Sequence, residues 1–502
     1  MKKIKLITLS LLLALPILLL FNSCKKFLDR QPLQATLGDL NQGGIEAEIF
    51  GLYSNLRGSA GFTSIPWLAV HDFRSDDSEK GSDPADGAEW VAPFDQYAYV
   101  KDLWATNQYW SDHYSLIAEA NSAIQKADTL GLNSDPATIQ NIGEAKFLRA
   151  YAYFDLVRTF GEVPKIDFKV YRSSDLIKPK ATISQIYSLI DADLAFAEGA
   201  LPTSWGSSYP GRLSKGAALA LHAKTQLFRQ NWAAASALAT QVMNLATYSL
   251  GSSYTNIFKD AGENGSESIF EIQAYVSPNG AIDNGCIFAT TQGVRGSNAS
   301  GWNLGWGWNT PTQNLVDAYE AGDNRKPATI LFSGQSDDPA FGGYGRVVPA
   351  HTSAGGPLPR KFWNKKIYAD PAYRASTGHS DNPNWINKRI LRYSDMLLTK
   401  AEAENELGFG ATAIVLVNQV RARAGGLSAK TFTTQSQLRA DIKQERRVEF
   451  GIEGERFFDL VRWNDANSVL APMGYTNRCR FYPIPQPIID GSGGVIIQNP
   501  EW

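Results

Sequence analysis

Cysteine is scarce in this 502-residue chain: Cys24, Cys286 and Cys479 are all there are. No CxxC spacing occurs, so a zinc ribbon or a dithiol redox motif is excluded. Histidine is scarce as well. His71, His113, His222, His351 and His379 are scattered singly, and none forms HExxH or another metal-binding pair. The chain also has no GxSxG nucleophile elbow, no Walker loop and no GxGxxG, so neither that hydrolase chemistry nor nucleotide binding has a foothold. Charge of one sign is absent in excess: 48 Lys and Arg stand against 50 Asp and Glu. Nucleic acid needs a clustered basic surface, and this composition does not supply one. Beyond the N-terminus no apolar run is long enough to span a bilayer.

The N-terminus itself is a targeting segment. Lys2, Lys3 and Lys5 precede an apolar run from Leu6 to Phe21, which ends in Phe21-Asn22-Ser23-Cys24. A cysteine directly after the cleavage-like position is the pattern of a bacterial lipobox, in which the thiol is acylated and the cysteine becomes the new N-terminus. A membrane-spanning anchor is the alternative, but the run is short for one. Residues 1–23 are therefore read as a lipoprotein signal peptide, and Cys24 as the lipid anchor that holds the mature chain on a membrane without spanning it. Cys286 and Cys479 then remain, either as a disulfide or as two buried thiols.

Hydrophobic periodicity divides the rest. Residues 24–108 read as an extended leader and variable loops, with one helix near 46–57. Residues 109–250 carry helix-spaced apolar positions, such as Ile142, Ala145, Leu148, Ala152 and Leu156. Residues 251–385 are rich in Gly, Ser, Asn and Trp with short strand-like pieces, and helices return over 386–502. Antiparallel helix pairs of tetratricopeptide length thus flank an irregular centre. Small residues at Ala217, Ala218, Ala220 and Ala223 let such helices pack closely.

Two features invite a functional reading. The run from Glu445 to Trp463 is dense in charges of both signs, interleaved with Val448, Phe450, Phe457, Phe458 and Leu460. It reads as a partly buried ion-pair network, because guanidinium forks suit carboxylates. Asp76, Asp77, Glu453 and Glu455 qualify as paired acids for glycoside hydrolysis by residue type alone. Thirteen tryptophans are the second feature, with Trp302, Trp306 and Trp308 in the Gly-rich stretch 301–311. An exposed aromatic face stacks on the C–H face of a sugar while nearby amides and carboxylates take its hydroxyls. Trp302, Trp90 and Trp104 are the foremost candidates, with Trp306 beside them and Asn303, Asp77 and Asn107 as polar partners. Trp110 and Trp308 read as core.

Several long segments resemble the SusD/RagB family, in order along nearly the whole chain. They include IGEAKFLRAYAYFDLVRTFGEVPKI at 142–166, GWGWNTPTQNLVDAY at 305–319, RILRYSDMLLTKAEAENELG at 389–408 and VNQVRARAGG at 417–426. The stretch 442–463, the tail 481–485 and the leader from Cys24 to Asp29 are similar too. The resemblance implies a mainly α fold over residues 24–502, in which a tetratricopeptide-like helix-pair scaffold carries an irregular loop-rich region and few short strands. It implies an outward-facing outer-membrane lipoprotein that binds a glycan or oligosaccharide, or in some members peptides. It also implies a partner, a SusC-type TonB-dependent transporter over which the protein acts as a lid. No catalysis, cofactor or metal follows from it. The matching segments belong to the scaffold, so the candidate ligand residues come from position and chemistry instead.

Overall fold

Helix starts are written in the chain as cap residues. In the computed structural model, which describes residues 45–206, 209–351, 358–378 and 384–502, these caps operate as hydrogen bonds. Asp135 accepts from the Thr138 amide at 2.8 Å, with Pro136 at the first helical position. Thr182 and Gln185 form a reciprocal capping box. Ser214 and Thr434 cap two more helices. The principal helices are α1 (Glu46–Gly58), α2 (Trp104–Thr129), α3 (Pro136–Phe160), α4 (Ile183–Ala200), α5 (Lys215–Phe228), α6 (Trp232–Asn244), α7 (Tyr393–Glu406), α8 (Gly410–Ala424), α9 (Gln435–Glu449) and α10 (Arg456–Arg462). The signal segment, the leader and Cys24 lie outside the described residues, as does His379. The helical stack lies within residues 48–502.

Helices α2 to α6 pack each on the next, α6 packs on α7, and α7 packs on α8 and α9. The mainly helical, helix-pair fold expected from the sequence is the fold observed. Ala217, Ala218, Ala220, Ala223, Ala235 and Ala239 are fully buried where α5 and α6 meet their neighbours. Helix α3 is buried on nearly every side, which its alanine, tyrosine and phenylalanine content permits. Its Arg149 makes a two-pronged contact with Asp193 of α4 (2.8 and 2.7 Å) and reaches Asn121 of α2 at 2.6 Å, so one side chain joins three helices.

The chain leaves this stack after α6 and re-enters it at α7. Short two-stranded antiparallel ribbons are built from this excursion, and one of them takes a strand from the segment ahead of α2. Their strands are β1 (Ser78–Gly81), β2 (Ser268–Ile272), β3 (Trp308–Pro311), β4 (Ile330–Phe332), β5 (Phe362–Asn364) and β6 (Lys388–Arg392). Strand β1 pairs with β3, β2 with β6 and β4 with β5. The excursion also has a core of its own, built from Val294, Trp302, Leu304, Leu331, Val348, Leu358, Trp363 and Tyr368. Cys286 and Cys479 are both buried free thiols, which closes the disulfide alternative.

The charged run over 445–463 is an ion-pair network, as its composition suggested. Arg392 binds Glu267 (2.7 Å), Glu449 (2.9 Å) and Glu453 (2.8 Å). Arg325 binds Asp323 (2.9 Å), Glu445 (2.6 Å) and Glu449 (3.2 Å). Arg423 grips Glu267 and Glu449 together. Burial alone would raise the Glu449 carboxyl's pKa, but Arg423, Arg392 and Arg325 hold it well below its ordinary range. Arg446 continues the chain of pairs through Asp395 and Asp459, and Arg462 carries it to Glu402.

A second, smaller charge cluster joins α4 to α5. His222 Nδ1 lies 2.6 Å from Glu198 and Nε2 lies 3.3 Å from Asp191. Burial would lower the imidazole's pKa, yet hydrogen bonds to Asp191 and Glu198 carry it up to about 9.

Two outcomes are expected. Glu449→Gln leaves three buried guanidiniums under-compensated and should cost about 3–5 kcal/mol in urea denaturation; a loss below about 1 kcal/mol would show the network to be dispensable. The His222 pKa is raised above its unfolded value of about 6.5. Its contribution is therefore complete below that pH and is lost as pH rises through about 9. The wild-type urea midpoint should fall across this window, and the fall should be smaller in His222→Gln.

Candidate functional site

The β1–β3 ribbon places two tryptophan-bearing loops side by side. Ser78 pairs with Pro311 and Gly81 with Trp308. At Gly81 the backbone takes φ +73°, and a Cβ there would stand 2.5 Å from the Gly307 carbonyl, so only glycine allows this approach. The loop after β1 is stitched from within. The Lys80 ammonium donates to the carbonyls of Asp86 (2.7 Å), Asp83 (3.0 Å) and Gly81 (3.3 Å). The Asp95 carboxylate accepts the Lys80 amide at 3.0 Å, and burial pushes its pKa up to about 7.

Three side chains then clamp this loop: Ser82 joins it to the loop containing residues 301–307, and Arg295 and Arg360 brace it from two other segments. The Ser82 hydroxyl lies 2.9 Å from the Trp306 carbonyl and 2.9 Å from Asp86. Arg295 donates to that hydroxyl at 2.7 Å and pairs with Asp86. Arg360 donates to the carbonyls of Ser82 (2.8 Å) and Gly81 (2.9 Å).

On this clamped base three indoles face solvent. Trp90 is 40% exposed, Trp104 48% and Trp306 40%. Trp90 stands edge-on to Trp104 with ring centres 5.5 Å apart, and it leans on buried Trp308 at 5.9 Å. Trp104 is the first residue of α2 and not a loop residue as expected, so one side of the platform rests on the helical scaffold. Trp90 and Trp104, braced on one another and on Trp308, offer apolar area with little ordering cost on binding.

Two other candidates do not join them. Trp302 is only 3% exposed. Its ring stacks on Tyr368 at 5.8 Å and carries the Arg346 guanidinium at 4.1 Å, so it is a core residue of the excursion. Its neighbouring glycines serve tight chain approach: a Cβ at Gly296 would meet the Trp302 carbonyl at 2.7 Å. Asp77 is 1% exposed and held by Arg447 at 2.5 Å, with Arg456 at 3.6 Å. It fastens the loop before β1 to α9 and α10 and has no exposed face for a ligand. Asn303 and Asn107 are half-buried. Asn303 donates to Asn298 at 2.8 Å and its backbone bridges to Arg295, while Asn107 donates to Asp102 at 2.6 Å.

The four acids named for hydrolysis are all engaged. Asp76 holds Arg456 at 2.8 Å, Glu453 holds Lys366 at 2.5 Å and Arg392, and Glu455 holds Lys224 at 2.6 Å. Arg295, Arg360 and Lys80, which shape the platform, went unnamed in the sequence. Nothing local marks Arg295 and Arg360, because their partners around Ser82 are more than 200 residues away, and Lys80 binds backbone carbonyls, which no residue pattern announces. Among the described residues no group of His, Cys, Asp and Glu is placed to hold a metal ion.

Comparison with known proteins gives this geometry a context. A family model described as the SusD family matches residues 266–478, and a second, described as starch-binding and associating with the outer membrane, matches residues 67–227. SusD-like protein P25 of Formosa agariphila is 25% identical over 497 residues, covering 90% of this chain and 89% of its own. The starch-binding protein SusD of Bacteroides thetaiotaomicron is 24% identical and covers 66% of this chain and 65% of its own. Among solved structures, a laminarin-binding SusD-like protein superposes with TM-score 0.74 at 27% identity, covering 91% and 99%. Surface glycan-binding protein A of Bacteroides thetaiotaomicron, solved with laminarihexaose, superposes with TM-score 0.75 at 24% identity, covering 91% and 98%, and bears on the fold alone.

Burial separates the tryptophans by role. Trp302→Ala should lower stability by about 3–5 kcal/mol, whereas Trp104→Ala should cost less than about 1 kcal/mol. Urea denaturation of the two variants checks this; equal losses would contradict the division.

Proposed function

Since the chain belongs to the SusD/RagB family, an outer-membrane-associated family of starch- and glycan-binding proteins, we propose that it captures an oligosaccharide on Trp90, Trp104 and Trp306 and breaks no bond in it. The observation that carries this reading is three part-exposed indoles on a base fixed by Ser82, Arg295 and Arg360. Sugar rings present apolar C–H faces, and a rigid aromatic platform meets them with little entropy loss. The laminarin-binding structural neighbour favours a glycan over a peptide as the ligand. The engagement of Asp76, Asp77, Glu453 and Glu455 in ion pairs favours binding over hydrolysis.

The remaining parts of the reading come from the sequence and the family. Residues 1–23 are cleaved, Cys24 is acylated, and residues 24–502 form one SusD-like domain anchored at the outer membrane and facing outward. No helix among the described residues is long and apolar enough to cross a membrane. The partner is a SusC-type TonB-dependent transporter, which receives the glycan.

Removing all three indoles, Trp90→Ala with Trp104→Ala and Trp306→Ala, should weaken glycan binding about 150- to 2,000-fold, from about 1–1.5 kcal/mol for each ring. Calorimetry against the best glycan from an array, with a peptide panel in parallel, measures this. Unchanged glycan affinity, or binding confined to peptides, would reject the platform.

A further inference from the structure

A polar cavity lies at the far end of the ribbon that carries the platform. It has a volume of about 250 Å³, and Glu79, Gln313, His351, Arg360, Lys361 and Phe362 are the lining residues that matter here. Strand β1 runs from Ser78 to Gly81, and Ser82 beyond it touches the Trp306 carbonyl. Glu79 and Pro311, at the other end, border the cavity. A single guanidinium spans the two places, with Arg360 touching Glu79 at 3.3 Å and the Ser82 carbonyl at 2.8 Å, so they are neighbours. Arg360 belongs to both: it lines the cavity, and it holds the Gly81 and Ser82 carbonyls beneath the platform.

The walls combine the two kinds of surface a sugar requires. Phe362 is half-buried, braced edge-on by Phe332 at 5.6 Å, and Pro311 and Pro359 add apolar area. Around them stand hydrogen-bonding groups. Glu79 Oε1 accepts from Thr310 (3.2 Å) and Arg360 (3.3 Å), while its Oε2 makes no hydrogen bond among the described residues. His351 uses Nδ1 on the Leu358 carbonyl at 3.1 Å, which leaves Nε2 for a ligand. Gln313 spends its amide N–H on Asp317 and keeps its carbonyl. Lys361 is exposed. Donors and acceptors are therefore mixed, and the Arg360–Glu79 pair balances its own charge. A purely apolar ligand would strand the polar rim.

The geometry points to a second carbohydrate subsite in this cavity. It takes one neutral pyranose ring of a glycan whose neighbouring units lie on the Trp90–Trp104–Trp306 platform. The inference rests on the platform reading, and it adds a length requirement: only a ligand long enough to reach from the platform into the cavity gains these contacts.

The test uses the double variant Gln313→Ala with Lys361→Ala. Both side chains are exposed and neither belongs to the platform, so folding is retained. The probes are the tightest neutral oligosaccharide found for the wild type on a glycan array and the disaccharide fragment of that same glycan. Calorimetry on the wild type, the double variant and the triple tryptophan variant should give three results. The wild type should bind the longer glycan more tightly than the disaccharide. The double variant should lose about tenfold on the longer glycan, the worth of one to two hydrogen bonds, and nothing on the disaccharide. The tryptophan variant should lose both. Equal affinity of the double variant and the wild type for the longer glycan would overturn the subsite and leave the platform standing, and so would an equal loss on both probes. An array on which the wild type binds no neutral glycan would overturn both readings.

Discussion

Buried Glu449 ties the molecule together. Three guanidiniums converge on it, and each comes from a different part of the chain. Arg325 belongs to the loop-rich excursion, Arg392 to the strand that leads back into the helical stack, and Arg423 to the end of α8. A lone buried carboxylate would be expelled or protonated, and three unpaired guanidiniums would be worse. The charges are therefore tolerable only in the assembled arrangement. A hydrophobic contact can slide by a residue and lose little, whereas a two-pronged ion pair has one geometry. The network thus fixes how the excursion meets the helices, whatever its net worth in stability.

That constraint reaches the platform. Asp76 and Asp77, just ahead of β1, are gripped by Arg447 and Arg456 from the same charged run. The ribbon that carries the exposed tryptophans is thus tethered at its base to α9 and α10. Trp104 is planted on α2 directly. Binding faces on otherwise irregular chain acquire their rigidity from helices outside the ligand's reach, which is how a loop-borne site becomes preorganised.

Much of the fold is legible in the sequence, and part of the candidate site is not. Helix periods and caps such as Asp135 and Thr182 act within a few residues, so they can be read locally. The mixed charges of 445–463 announced ion pairing because no other arrangement accommodates Arg446 and Glu449 among phenylalanines. Flanking glycines suggest an exposed loop at Trp302, yet its ring is buried. The residues that bury it, Tyr368 and Arg346, are distant in sequence. Nothing beside Asp77 announces its burial either, since its partner Arg447 lies 370 residues away. Arg295 and Arg360 carry no local signal at all. Trp90 and Trp104 do stand exposed, side by side.

The excursion departs after α6 and returns at α7, and those two helices pack on one another. Its two ends are therefore held close together by the stack it interrupts. Such a segment behaves as a cassette: its interior can be rewritten by insertion, deletion or recombination without shifting the register of the helices on either side. Rooting points such as Glu267 and Arg325 are bound to the helices by charge and would have to stay. One scaffold can thus present many binding faces while its own shape stays constant.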